Sequence, residues 1–103
     1  MSRTEILKKL IEENPSDEFS RYALALEMTK EKNYEEAEKN FRFLTEHSPE
    51  YAASYYQFGK LLEELNRTDE AIDVYKAGME IVKYKNQKTF SELQSALNNL
   101  SFD

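Results

Sequence analysis

The chain has 103 residues, 33% of them charged, with 14 Lys and Arg against 20 Asp and Glu and a net charge of −6. It contains no cysteine, 2 glycines and 2 prolines. These numbers exclude disulfides and cysteine-based zinc sites, oppose a phosphate backbone as partner, which needs clustered Lys and Arg, and with 40% hydrophobic residues favour one folded helical domain over a disordered or turn-rich chain.

The first segment, residues 3–14, opens on an S-x-x-E capping box formed by Ser2 and Glu5. Ile6, Leu7, Leu10 and Ile11 follow helical spacing, with Glu5, Lys8, Lys9 and Glu12 on the other face, and Pro15 ends the run. The opening stretch MSRTEILKKLIEE mixes charges into its apolar pattern, unlike a secretory leader, and no run approaches the ~18 apolar residues of a membrane span. A soluble, cytoplasmic protein is expected, with no membrane partner.

The second segment, residues 17 to about 32, carries Phe19, Tyr22, Ala23, Leu24, Leu26 and Met28, a set too broad for one stripe. It predicts a helix covered on more than one side, capped by Ser16 or Asp17. The third, 34–47, turns Ala37, Phe41 and Leu44 inward, with Phe43 beside them, and Pro49 follows its end. The fourth, 51–65, carries Tyr55, Phe58, Gly59 and Leu62. The fifth, 69 to about 84, carries Ala71, Ile72, Tyr75, Met79 and Val82, with Thr68 as its expected N-cap. The sixth, 87–100, has Phe90, Leu93, Leu97 and Leu100 at spacings of three and four. Six helices with short links predict an all-α fold and leave no linker long enough to divide the chain.

The pattern repeats every 34 residues. Arg21, Leu24, Ala25, Met28, Ala37, Phe41 and Leu44 lie 34 positions before Tyr55, Phe58, Gly59, Leu62, Ala71, Tyr75 and Gly78. This resembles the tetratricopeptide repeat family, a helix-turn-helix unit with a large aromatic at position 4, a Leu-Gly pair at 7 and 8, an aromatic at 11, Ala at 20, an aromatic at 24, a small residue at 27 and Pro at 32. Residues 18–51 form the first repeat, which departs at Arg21 and Leu44, and residues 52–85 the second, with Lys83 in place of the proline. Residues 1–15 fit an isolated second helix, with Leu7, Leu10 and Pro15 at positions 24, 27 and 32. Residues 86–103 form a closing helix whose stripe needs a one-residue shift from the 34 period and whose outer side, with Glu92 and Asn99, is polar as a solubilising cap requires. The array reads as a complete single domain. The resemblance implies helix pairs stacked as a short right-handed superhelix.

The family's concave groove is lined from positions 2, 5, 9 and 12 of each first helix. The matching residues are Phe19, Tyr22, Leu26 and Thr29, then Ala53, Tyr56, Lys60 and Glu63. Spacings of three, four and three place each set on one helix face. Phe19, Tyr22 and Tyr56 suit the anchoring of a peptide and Lys60 the pairing of a carboxylate. The competing reading is that the two tyrosines only cover the core edge. A subclass that clamps C-terminal carboxylates carries Lys at position 5 and Asn at 9; Tyr22 and Leu26 stand there instead.

Chemistry has little to build on. His47 is the one histidine, placed near a helix end where a partial positive charge favours the dipole. The pairs Glu12-Glu13, Glu35-Glu36 and Glu63-Glu64 diverge by about 100° on a helix and read as solvated faces. The two glycines, Gly59 and Gly78, form no phosphate loop. Lys83, Tyr84 and Lys85 with Lys76 and Lys88 form one basic cluster, read as a solvated helix end rather than a nucleic-acid site. The expectation is a non-catalytic module without metal or cofactor, binding a protein or peptide in its groove, with no nucleic-acid partner. The alternative is a self-associating structural protein, a weak homo-oligomer built on terminal hydrophobics such as Ile6, Leu100 and Phe102.

Overall fold

The computed structural model describes residues 1–101. Among these are six helices and no strand: α1 (Arg3–Glu13), α2 (Glu18–Lys30), α3 (Tyr34–His47), α4 (Ala53–Glu64), α5 (Thr68–Val82) and α6 (Gln87–Ser101). The all-α expectation holds, and helix ends agree with the sequence pattern to within about two residues. Phe102, named among the terminal hydrophobics, lies outside the described residues. The chain forms two compact units, Met1–Ser48 with α1 to α3 and Pro49–Asp103 with α4 to α6.

In the first unit the Ser2–Glu5 capping box forms, Ser2 Oγ accepting from the Glu5 amide at 3.1 Å while Glu5 Oε1 accepts from the Ser2 amide at 3.4 Å. Asp17, not Ser16, caps α2 through the Ser20 amide. The apolar face read for α1 is only partly buried. Leu7 is packed away, but Ile6 and Leu10 are 44% and 41% exposed. The reason is that α1 packs on α2 alone among its neighbours, and one contact line covers one edge of a stripe. Three polar links supplement Leu7: Arg3 to Glu27 at 3.0 Å, Thr4 Oγ1 to Glu31 at 3.0 Å and Lys8 to Glu36 at 3.4 Å.

The turn inside each helix pair is the same device twice. Lys32 and Asn66, 34 residues apart, have φ of 63° and 60°. The Lys32 amide bonds Thr29 O and the Asn33 amide Met28 O; the Asn66 amide bonds Glu63 O and the Arg67 amide Leu62 O. These are Schellman closures of α2 and α4. They also correct the expected cap of α5. Thr68 lies inside the helix and Arg67 is the N-cap, because the left-handed residue delivers the chain straight into the next helix. Neither Asn33 nor Arg67 caps with its side chain, although Arg67 forks onto Glu70 at 2.6 and 2.8 Å.

The 34-residue pattern marks the core. Ala25, Ala37, Leu44, Leu62, Ala71 and Tyr75 have no exposed surface. In the second unit the two glycines sit at helix crossings. A β-carbon on Gly78 would lie 2.6 Å from Tyr55 Cβ, and one on Gly59 would enter the Tyr75 ring. Tyr75 occupies the space that Gly59 leaves, so α4 and α5 approach closely. The stripe of α6 buries Leu93 together with Ala96, which the spacing argument passed over, and leaves Phe90, Leu97 and Leu100 half-buried.

The departure at Arg21 has a physical account. Tyr55, at the matching position, donates its hydroxyl to Pro49 O at 2.5 Å. Arg21 donates Nε to Pro15 O at 3.2 Å, and Pro15 and Pro49 are also 34 apart. Its guanidinium lies 3.9 Å from the centroid of Phe43, whose other neighbour is the stacked His47 ring at 4.3 Å. Arginine thus supplies both the donor and the flat surface of the aromatic it replaces. Its Nη1 also reaches Asn40 Oδ1 at 3.3 Å, satisfying a buried amide whose Nδ2 donates to Glu36 O.

Candidate functional site

The eight residues at groove positions divide between α2 in the first unit and α4 in the second, and each set lies along one helix face. On α2, Phe19 is 66% exposed, the most open aromatic of that helix. Tyr22 is half-buried and meets Phe41 edge-on, with 6.5 Å between ring centroids. Leu26 is half-buried, and the Thr29 hydroxyl is tied back to Ala25 O at 2.9 Å. This face is apolar and aromatic, and its threonine hydroxyl is spent on its own backbone.

The α4 face is different. Ala53 is exposed. Tyr56 is half-buried against Tyr75 at 6.5 Å, and Lys60 Nζ lies 5.5 Å from the Tyr56 ring centroid. Glu63 faces two ways: its carboxylate accepts the Tyr75 hydroxyl and lies 3.7 Å from Lys60 Nζ. Both tyrosines at position 5 therefore pack on the core aromatic at position 24 and keep an open edge.

The sequence reading missed the contribution of α6. Tyr56 and Lys60 line an open cavity of about 310 Å³ together with Ser91, Ser95 and Asn99, and Glu92 stands at its wall. Glu92 and Asn99, read as the polar outer side of a cap, are exposed and also border this cavity. The signal was available as an offset of 35 rather than 34, which carries Tyr56 to Ser91 and Lys60 to Ser95. The same offset carries Tyr55, Phe58 and Leu62 to Phe90, Leu93 and Leu97. By this register α6 is a first helix of the repeat type.

A second cavity, about 260 Å³, lies within the first unit between Lys8 and Ile11 of α1, Arg21 of α2 and Lys39 of α3. The Lys8–Glu36 pair sits at its wall. Burial lowers the Arg21 pKa below its ordinary value, though the guanidinium stays charged in the physiological range. Two lysines of the basic cluster are paired. Lys83 contacts Glu80 at 3.2 Å and Lys85 contacts Glu50 at 2.5 Å, a hydrogen bond that holds the Glu50 carboxyl below its usual range. Tyr84 beside them is 89% exposed. His47 Nδ1 lies 3.1 Å from Phe43 O in the last turn of α3. Among the described residues no three His, Cys, Asp or Glu side chains converge as a metal site, and no helix is long and apolar enough to cross a membrane.

Comparison with known proteins agrees with this architecture. A family model described as tetratricopeptide repeat matches residues 28–100. The chain is similar to a tetratricopeptide repeat domain protein of Salinibacter ruber, at 45% identity. Its crystal structure aligns over 84% of this chain and 97% of that one with a TM-score of 0.78. Its solution structure aligns over 85% and 90% with a TM-score of 0.81. A protein of Bordetella parapertussis shares the fold at 20% identity, over 98% of this chain and 89% of that one, with a TM-score of 0.82. No curated protein sequence matches the chain.

Proposed function

The chain belongs to the tetratricopeptide repeat family, and from that premise we propose that it is a non-catalytic interaction module, an adaptor or scaffold that binds a peptide or protein segment along the groove faces of its first helices. The observation that carries this reading is the cavity that Tyr56 and Lys60 share with Ser91, Ser95 and Asn99. An aromatic wall, a cation and a row of hydroxyl and amide groups suit a main chain, which presents a donor and an acceptor at every residue. Tyr22 and Phe19 on α2 supply apolar anchors of the kind that dominate such interfaces. Action as a soluble cytoplasmic protein, without cofactor or nucleic acid, is part of the same proposal.

The test is affinity purification from the native cell with the wild type and the Tyr22→Ala/Tyr56→Ala variant side by side, after both have been shown to melt cooperatively. Loss of specific partners from the variant is the expected result. Recovery of the same partners at the same yield would refute the groove reading. Lys60→Glu should weaken the same interactions without a change in melting, because Lys60 is half-exposed and its ion pair with Glu63 is a surface contact.

A further inference from the structure

In the first unit α1 and α3 both pack on α2 and, among the described residues, not on each other. The gap between them is the cavity of about 260 Å³. Its apolar lining is Ile11 of α1 and Leu24 of α2, the latter 3% exposed. Its charged lining is three cations, Lys8, Arg21 and Lys39, against two carboxylates, Glu12 and Glu36. None of these residues holds a groove position of α2 or α4, and all lie within one compact unit.

The three cations are not equivalent. Lys8 already has Glu36 at 3.4 Å. Among the described residues no carboxylate pairs with Arg21 or Lys39. Lys39 is exposed, so water carries its charge. Arg21 is half-buried, and burial is what lowers its pKa, so it has lost hydration without gaining a counter-ion. It is also fixed in place. Nε donates to Pro15 O, Nη1 donates to Oδ1 of the buried Asn40, and one face of the guanidinium lies against Phe43. Nη2 donates to no group among the described residues. A guanidinium held on three sides, with donors left over, is preorganised for an anion.

We propose that this cavity binds a small aliphatic carboxylate, its oxygens taken by Arg21 and Lys39 and its hydrocarbon body resting on Ile11 and Leu24. Charge sets the class. The cations of the lining exceed its carboxylates by one, so a monoanion balances it, whereas a dianion such as phosphate meets Glu12 and Glu36 with charge in excess. Size sets the scale. A volume of about 260 Å³ lies below the ~300–1,000 Å³ of pockets for drug-sized ligands, so the occupant is a short acid. The site is separate from the groove faces, and neither proposal depends on the other.

The test is a titration of the isotope-labelled full chain with isocaproate, followed by amide chemical shifts. Isocaproamide and inorganic phosphate are the controls. Saturable shifts are expected at Lys8, Ile11, Arg21 and the Asn40 side-chain amide, with none at Tyr56 or Ser95. The neutral amide should bind at least tenfold more weakly than the acid, and phosphate at least fivefold. Lys39→Gln should raise the isocaproate Kd at least fivefold with melting unchanged, because Lys39 is exposed and has no ion pair among the described residues. Lys9→Gln removes an exposed lysine of α1 outside the cavity and should leave the Kd unchanged. Arg21→Lys should weaken binding at least tenfold; since that variant also loses packing on Phe43, the Lys39 comparison decides. Shifts that do not saturate, equal binding of acid and amide, phosphate binding as tight as the acid, or a Kd that Lys39→Gln leaves unchanged would each overturn the proposal.

Discussion

Tyr75 has no exposed surface, and its phenol donates a hydrogen bond to the carboxylate of Glu63 on the facing helix. The aromatic that fills the α4–α5 crossing is thus tied at its polar tip to a residue of the candidate binding face. Its ring meets Tyr56 of that face as well. In the second unit, core packing and the candidate binding face meet at Tyr75.

The pair makes stability pH-dependent on the alkaline side. Burial first, and then donation to the anionic Glu63, push the Tyr75 phenol well above its ordinary range. The folded state therefore keeps it neutral where the unfolded chain, titrating near pH ~10, has lost the proton. Above that pH the unfolded state binds fewer protons, so stability is full below about pH 10 and falls as pH rises. Urea melts at about pH 8 and about pH 11 should show this decline, with a shallower one in Tyr75→Phe. Tyr55, also raised by burial, keeps part of the slope in that variant. At neutral pH the same variant should lose about 0.5–1.5 kcal/mol, the net worth of a hydrogen bond. An identical alkaline slope in the two proteins would contradict the assignment.

Core truncation and core crowding should both be costly. Phe41, 1% exposed, should cost about 3–5 kcal/mol as Phe41→Ala. Ala71→Leu should cost about 1–3 kcal/mol by overpacking a site with no exposed surface. Gly59→Ala is the sharper probe, because the added methyl enters the Tyr75 ring rather than a flexible chain end. Chemical denaturation with near-native midpoints for these variants would refute the packing described.

Lys32 holds a left-handed conformation that costs a side chain with a β-carbon about 1–2 kcal/mol. Lys32→Gly should recover part of this, offset by the greater entropy of the unfolded glycine, for a gain of about 0.5–1 kcal/mol. Asn66 has the same geometry but a residue type that tolerates it, so Asn66→Gly should gain less. Thermal melts of the two variants give the comparison, and equal or reversed shifts would count against it.

Arg21 should not be replaceable by its usual substitute. Arg21→Lys keeps the charge but loses the flat surface on Phe43 and the fork that serves Pro15 O and Asn40 Oδ1 together. Arg21→Ala leaves the buried Asn40 oxygen without that donor and should cost about 1–3 kcal/mol. Arg21→Tyr, the residue type of the second repeat, should be the mildest of the three. Urea midpoints in the order Tyr, Lys, Ala are expected.

The six helices, the 34-residue spacing and the core positions Ala25, Ala37, Phe41, Ala71 and Tyr75 were legible in the sequence. Their signal is local: helical period, a capping box, and small residues wherever two helices cross. Arg21 and Lys32 were not legible in that way. Each breaks a residue preference, and its compensation lies in groups distant in sequence, namely Phe43 and Asn40 for Arg21, or in a backbone angle that lysine does not announce, for Lys32.

The candidate site divides along the same line. Sequence by itself determined that Phe19, Tyr22, Leu26 and Thr29 share one face of α2 and Ala53, Tyr56, Lys60 and Glu63 one face of α4, because helical period sets who shares a face; that these faces line a groove is what the family resemblance implies. Only the tertiary structure decided that Glu63 is held by Tyr75, that Thr29 is spent on its own helix, and that Ser91 and Ser95 join Tyr56 and Lys60 around one cavity. It also decided that Ile6 and Leu10 stay open while their counterparts Asn40 and Leu44 are covered. A repeat pattern records what each position prefers to touch, whereas burial depends on which helices pack against it in the fold.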